Sequence, residues 1–180
     1  AGSIPPEEVA FIILEPIQGE GGYNVPSESF IQDIQALKAD HDIHVIADEI
    51  QSGMGRTGEF WAIDHVSLDP DIITSAKGLR VGATISRSDV FPDETSRIAS
   101  TWGGGDLFHS AIGAMTIDVI ESQNLLDNAT ARGIQFQETM ADADLESVVD
   151  LRGRGLMQAL EFEDYAIRDE VLDRAFEKGL

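Results

Sequence analysis

Lys77 and Asp48 are the two residues whose type and setting point most directly to chemistry. Lys77 lies in Ile72-Ile73-Thr74-Ser75-Ala76-Lys77-Gly78-Leu79, directly after a short apolar, β-favouring run. At the end of a buried strand its amine is expected to be partly desolvated, which favours the neutral nucleophile needed to form a Schiff base with a carbonyl. The small neighbours Ala76 and Gly78 leave room for a ring. Taken alone, a strand-end lysine more commonly lays its stem along the protein and holds its charge in water. Asp48, in Val45-Ile46-Ala47-Asp48-Glu49-Ile50-Gln51-Ser52-Gly53, shifts that balance. A carboxylate at the carboxyl end of an apolar strand can pair with a protonated pyridine nitrogen, turning such a ring into an electron sink for a carbanion. An isolated aspartate there reads as a turn or cap. Asp-Glu-Ile-Gln-Ser-Gly followed by Met-Gly-Arg-Thr-Gly is more than a turn requires.

Other candidates carry less. The chain has no cysteine, which excludes disulfides, thiolate metal sites and cysteine nucleophiles together. His41, His44, His65 and His109 are scattered without metal-ligand spacing, so they read as surface or packing residues and no metal site is expected. Gly103-Gly104-Gly105 lacks the lysine and hydroxyl of a nucleotide P-loop. Arg152 and Arg154 are expected to satisfy strand-end carboxylates or solvent.

The elements that must position these groups follow from periodicity. Residues 9–14 form a continuous apolar run, as in a strand buried on both faces of a parallel sheet. The stretch 27–39 has helical spacing at Phe30, Ile34 and Leu37, with Ser27 as N-cap. Further strands are expected at 43–47, 71–75 and 81–86. Strands separated by a helical connection argue for an α/β fold, in which ligands sit beyond the carboxyl ends of the strands, where Asp48 and Lys77 fall. Residues 107–120 and 125–140 read as two helices, the second weakened by Asn128 and Gly133. The stretch 148–162 has β character broken by Gly153 and Gly155, and a helix is expected from about Tyr165 to Lys178. A switch to a smaller α+β domain near residue 143 follows, giving a division into 1–142 and 143–180. A chain that opens directly into a buried-type strand and stops just after a helix is expected to be a fragment with open sheet edges.

Composition bounds the partners. Hydrophobic residues make up 42% of the 180, enough for a packed core. With 33 acidic against 12 basic residues the net charge is −21, a surface that repels phosphate backbones and anionic membranes. Lysine is confined to Lys38, Lys77 and Lys178, and an acidic, lysine-poor surface resembles that of proteins from salt-loving cells. No apolar run is long enough to cross a bilayer and no export signal opens the chain, so the expected location is cytoplasmic.

Three ordered motifs add a resemblance. Glu15-Pro16-Ile17-Gln18-Gly19-Glu20-Gly21-Gly22, then Asp48 to Gly58, then Ala76-Lys77-Gly78-Leu79 resemble consecutive signatures of the class III aminotransferases, of the 4-aminobutyrate, ornithine and acetylornithine kind. The 29 positions from Asp48 to Lys77 match the family's interval. Ser100-Thr101-Trp102-Gly103-Gly104 and Leu151-Arg152-Gly153-Arg154-Gly155-Leu156 are also similar, so the resemblance covers nearly the whole chain. It implies a fold type I large domain that binds pyridoxal 5'-phosphate, 1–142, followed by the incomplete start of the C-terminal small domain, 143–180. It implies that Lys77 holds the cofactor and then shuttles the substrate proton, and that Asp48 keeps the pyridine nitrogen protonated. Gln51 would bond the phenolic oxygen and Thr101 would reach the phosphate across a homodimer interface. Glu20 resembles the glutamate that pairs with an arginine gating the substrate carboxylate, although a solvated loop carboxylate explains it equally well. The implied reaction is amino transfer between an omega-amino acid and a 2-oxo acid such as 2-oxoglutarate, with a racemase, aminomutase or decarboxylase of the same fold as alternatives. The family's N-terminal phosphate loop, ring-stacking residue and carboxylate-binding arginine have no counterpart here, so these 180 residues alone are expected to be inactive. One departure stands out: the family's longer glycine-rich turn after the lysine is replaced by the short Gly78-Leu79-Arg80-Val81-Gly82, which puts the substrate subgroup in doubt.

Overall fold

The structure is a computed structural model that describes residues 4–94, 97, 105–143 and 145–180. Its centre is a four-stranded sheet in the order β1-β2-β3-β4, formed by Phe11–Leu14, His44–Asp48, Ile72–Ser75 and Ala83–Ser86. β1, β2 and β3 run parallel, with Leu14 opposite Ala47 and Asp48 opposite Thr74. β4 is antiparallel to β3, Ser75 facing Ala83. Residues 76–82 are too few for the long crossover that a parallel return demands. The sheet is thus mainly parallel, as the α/β reading expects, and β4 adds an antiparallel pair that the reading does not include.

The helix α1, Glu28–Asp40, connects β1 to β2 and starts where Ser27 Oγ accepts the Phe30 N–H at 3.2 Å. Its Ile31 and Ile34 pack on Val45 and Ala47, both fully buried, together with Ile63 and Leu68. Strand alternation sends Ile46 and Asp48 to the opposite face. β1 departs from expectation. It pairs only with β2 among the described residues, and Phe11 and Ile13 are 55% and 53% exposed on the face away from α1. One helical layer covers one face of a strand, so a uniformly apolar run becomes an alternating burial pattern.

Helices α2 (Leu107–Ser122) and α3 (Leu125–Asp142) pack against each other. α3 is continuous through Asn128 and Gly133, and Gly133 is buried against the backbone of Gly155. The broken β stretch is one antiparallel hairpin, β5 (Val148–Arg154) and β6 (Met157–Phe162), with its turn at Gly155. The hairpin docks on the sheet's loops: Leu156 N–H donates to Arg56 O at 2.9 Å, and buried Met157 packs on Ile17 and Ala62. Arg152 closes the far side by donating to Gly22 O at 2.8 Å and pairing with Asp150 and Glu161. Helix α4, Tyr165–Glu177, packs on β6. No helix among the described residues is long and apolar enough to cross a membrane.

Candidate active site

Adjacent parallel strands bring their carboxyl ends together, and here those ends carry Asp48 and, just beyond β3, Lys77. Asp48 Oδ1 accepts the Ile50 N–H at 3.1 Å and the Thr74 hydroxyl at 3.2 Å, so the carboxylate stands on the face opposite α1 beside its register partner. Its Oδ2 has no hydrogen-bond partner among the described residues. The two strand-end loops are joined by main chain: Lys77 N–H donates to Ile50 O at 3.3 Å, and Glu49 N–H donates to Thr74 O at 2.9 Å. A Cβ built on Gly78 would fall 2.7 Å from Met54 Cβ, so the turn that carries Lys77 lies directly on the loop that follows Asp48. That turn closes through Arg80 N–H to Ala76 O at 2.8 Å. The Lys77 side chain is exposed, whereas the sequence suggested partial desolvation. The reason is local: Lys77 sits past the last paired residue of β3, in the turn and not in the sheet.

Gln51 is half-buried, and its side-chain oxygen occupies the space a Cβ on Gly19 would need, 1.9 Å from that position. Gly19 N–H in turn donates to Glu15 Oε2 at 2.7 Å, so the first glycine-rich loop is seated against the Asp48 loop. Glu20 stands in that loop with an exposed side chain. Asp48, Gln51 and Lys77 are therefore gathered at one end of the sheet, with the loop of Glu20 beside them. Thr101 lies outside the described residues.

Two residues next to these were given no role by sequence reasoning. Thr74 anchors Asp48, a signal readable only once the β2–β3 register is known. Glu49 points to the other face and is 1% exposed. Its Oε2 accepts the Ser52 hydroxyl at 2.6 Å and its Oε1 accepts the Ile63 N–H at 2.7 Å. Burial pushes the Glu49 carboxyl above the usual range, and these two bonds, with the Ala62 N–H, oppose the push without cancelling it.

Comparison with known proteins gives a consistent answer. The family model for aminotransferase class-III matches residues 3–180. The acetylornithine aminotransferase of Aquifex aeolicus is 42% identical over 179 residues, covering 97% of this chain and 46% of that protein. The solved lysine aminotransferase from M. tuberculosis, in its internal aldimine form, superposes with a TM-score of 0.85 at 32% identity over 93% of this chain and 40% of that one. The ornithine aminotransferase from Toxoplasma gondii, solved with partial occupancy of pyridoxal phosphate at its active site, gives 0.78 at 33% identity over 86% of this chain and 38% of that one. The chain spans less than half the length of the curated relatives it matches.

Proposed function

The chain belongs to the class III aminotransferase family, and from that premise we propose that the whole protein transfers an amino group from an amino acid to a 2-oxo acid. The donor class is an omega-amino acid such as 4-aminobutyrate or ornithine, and the acceptor a 2-oxo acid such as 2-oxoglutarate. The observation that carries the reading is the juxtaposition of Asp48 and the Lys77 turn through the Lys77 N–H to Ile50 O bond.

The residues present fit pyridoxal 5'-phosphate. Lys77 offers a primary amine, Asp48 an oxygen with no partner among the described residues, and Gln51 an amide donor, all at one end of the sheet. When bound, that cofactor supplies an electron sink for the pair left behind as the substrate's carbon–hydrogen bond breaks. Lys77 would hold it through Nζ, Asp48 would keep the ring nitrogen protonated through Oδ2, and Gln51 would donate to the ring oxygen. Nζ would also be the base that takes the proton from the substrate carbon and gives it back later in the transfer. Thr74 and the Ile50 N–H hold the Asp48 carboxylate in its orientation through Oδ1. Glu20, in the loop seated on Gln51, is proposed to pair with an arginine that gates the substrate carboxylate.

The same proposal includes a homodimer in which Thr101 reaches the cofactor phosphate across the interface, a division into domains at 1–142 and 143–180, and a cytoplasmic location. It also includes the inactivity of these 180 residues on their own, supported by their covering under half of the relatives' length. The test is stoichiometry. Incubating the whole protein with pyridoxal phosphate, ornithine or 4-aminobutyrate and 2-oxoglutarate should yield one glutamate per donor consumed. Release of carbon dioxide, or donor inversion without glutamate, would replace transfer by one of the alternative reactions.

A further inference from the structure

Glu49 is a strand-end carboxylate that the proposed chemistry does not use, and both of its oxygens are bonded. It is 1% exposed, and each of its carboxylate oxygens accepts a hydrogen bond of 2.7 Å or less, from the Ser52 hydroxyl and from the Ile63 main chain. Its own main chain is tied on both sides, its N–H donating to Thr74 O at 2.9 Å and its carbonyl accepting the Gly53 N–H at 3.1 Å. One residue thus joins β3, the turn that follows β2 and the 3-10 helix Ala62–His65.

Burying a carboxylate costs several kcal/mol before its bonds are counted, and an apolar residue of similar volume is commonly no worse for stability. Stability alone therefore gives little reason for an acid here. What the acid does supply is direction. Glu49 lies directly after Asp48, and Gln51 is held between Glu49 and Ser52, so a bond from position 49 to position 52 closes the turn that carries both cofactor-facing candidates. The bond to Ile63 fastens that closed turn to a second element. We propose that Glu49 is a positioning residue, whose carboxylate fixes the 48–53 turn so that Asp48 and Gln51 are held toward the cofactor. The proposal rests on the aminotransferase reading of the site.

The experiment compares Glu49→Gln, Ser52→Ala and the reference variant Asp48→Asn in the whole protein. For each, three quantities are measured: the melting temperature without cofactor, the dissociation constant of pyridoxal phosphate, and the pH midpoint of the bound cofactor's absorbance. Glu49→Gln keeps the size of the side chain and an acceptor for Ile63, and Ser52→Ala removes one side of the clamp while keeping the acid. Loss of a hydrogen bond to a charged group corresponds to about a tenfold weakening of cofactor binding, expected in both variants together with a displaced pH midpoint. A folded Glu49→Gln protein that binds the cofactor within about twofold of the parent, with its midpoint unmoved, overturns the proposal whatever its melting temperature. Should Glu49→Gln fail to fold, the same criteria applied to Ser52→Ala decide. If Asp48→Asn weakens binding while the Glu49 and Ser52 variants do not, only this inference falls. If Asp48→Asn is silent as well, the reading of the site falls and takes the inference with it.

Discussion

Three carboxylates at the ends of β2 and β3 have three different fates, set by what each can bond. Asp48 is half-exposed on the open face with one oxygen unpartnered among the described residues, and Glu49 is buried and clamped. Asp71, at the opposite end of the sheet, has a side chain only 3% exposed, accepts the Val45 N–H at 2.8 Å and pairs with Lys38 at 3.0 Å and Arg87 at 3.3 Å. Burial would raise the Asp71 carboxyl, but the Val45 N–H and Lys38, helped by Arg87, outweigh it and hold the group below the usual carboxylate range. Lys38 is the stronger ionic partner, since Arg87 is half-exposed and its pairing is screened by water. A lowered folded value means stability that is present above the unfolded value and lost as pH falls through the folded one. Asp71→Asn should therefore cost about 1–3 kcal/mol in urea unfolding at pH 7, with the gap to the parent shrinking as pH falls below the ordinary carboxylate range. A gap that stays constant or widens would mean that the carboxylate's charge is not what Val45 and Lys38 hold. At this scale Asp48 and Lys77 were readable as candidates because each stands at or just past the end of an apolar strand within an ordered set of motifs. Glu49 and Thr74 were not, because the face that each presents depends on strand register and on partners such as Ile63, which are distant in sequence.

At the scale of elements, glycine separates what local propensity can say from what packing decides. Propensity counts Gly133 as a defect in α3, and alanine in its place would gain up to about 1 kcal/mol in an isolated helix. In the folded chain a Cβ at 133 would lie 2.4 Å from the carbonyl oxygen of Gly155, a backbone atom that cannot swing aside. Sterics win, and Gly133→Ala should destabilise by about 1–3 kcal/mol as α3 and the β5–β6 turn are forced apart. Gly82→Ala is the control: nothing among the described residues lies within 4 Å of its Cβ position, and the change should stay within about 0.5 kcal/mol. Equal melting temperatures for the two variants would show that α3 and the hairpin are not in the contact described. The α1 start at Ser27, the four strands and the two long helices were all readable from period and capping. The hairpin at 148–162 was read as broken because Gly155 turns the chain and Gly153 takes a φ of +132°, and neither role has a periodic signature. The even apolarity of residues 11–14 likewise gave no hint of which face α1 would cover.

For the molecule as a whole, charge outweighs every other feature of the surface. A net charge of −21 on 180 residues repels itself, and the ion pairs among the described residues offset only part of it. Salt screens such repulsion over about 10 Å at 0.1 M and over shorter distances as salt rises. The melting temperature should therefore climb from low to multimolar KCl, and a flat response would remove the likeness to proteins of salt-loving cells. The proposed function rests on something narrower, that of Lys38, Lys77 and Lys178 only Lys77 lies where the Asp48 loop meets the end of β3. The most direct test is to mix the whole protein with pyridoxal phosphate, reduce with borohydride so that the cofactor stays on the amine that holds it, and locate the added mass by peptide mass spectrometry. One adduct is expected, on Lys77, weakened in Asp48→Asn. An adduct on Lys38 or Lys178, or a spread over all three lysines that Asp48→Asn leaves unchanged, would contradict the role given to Lys77.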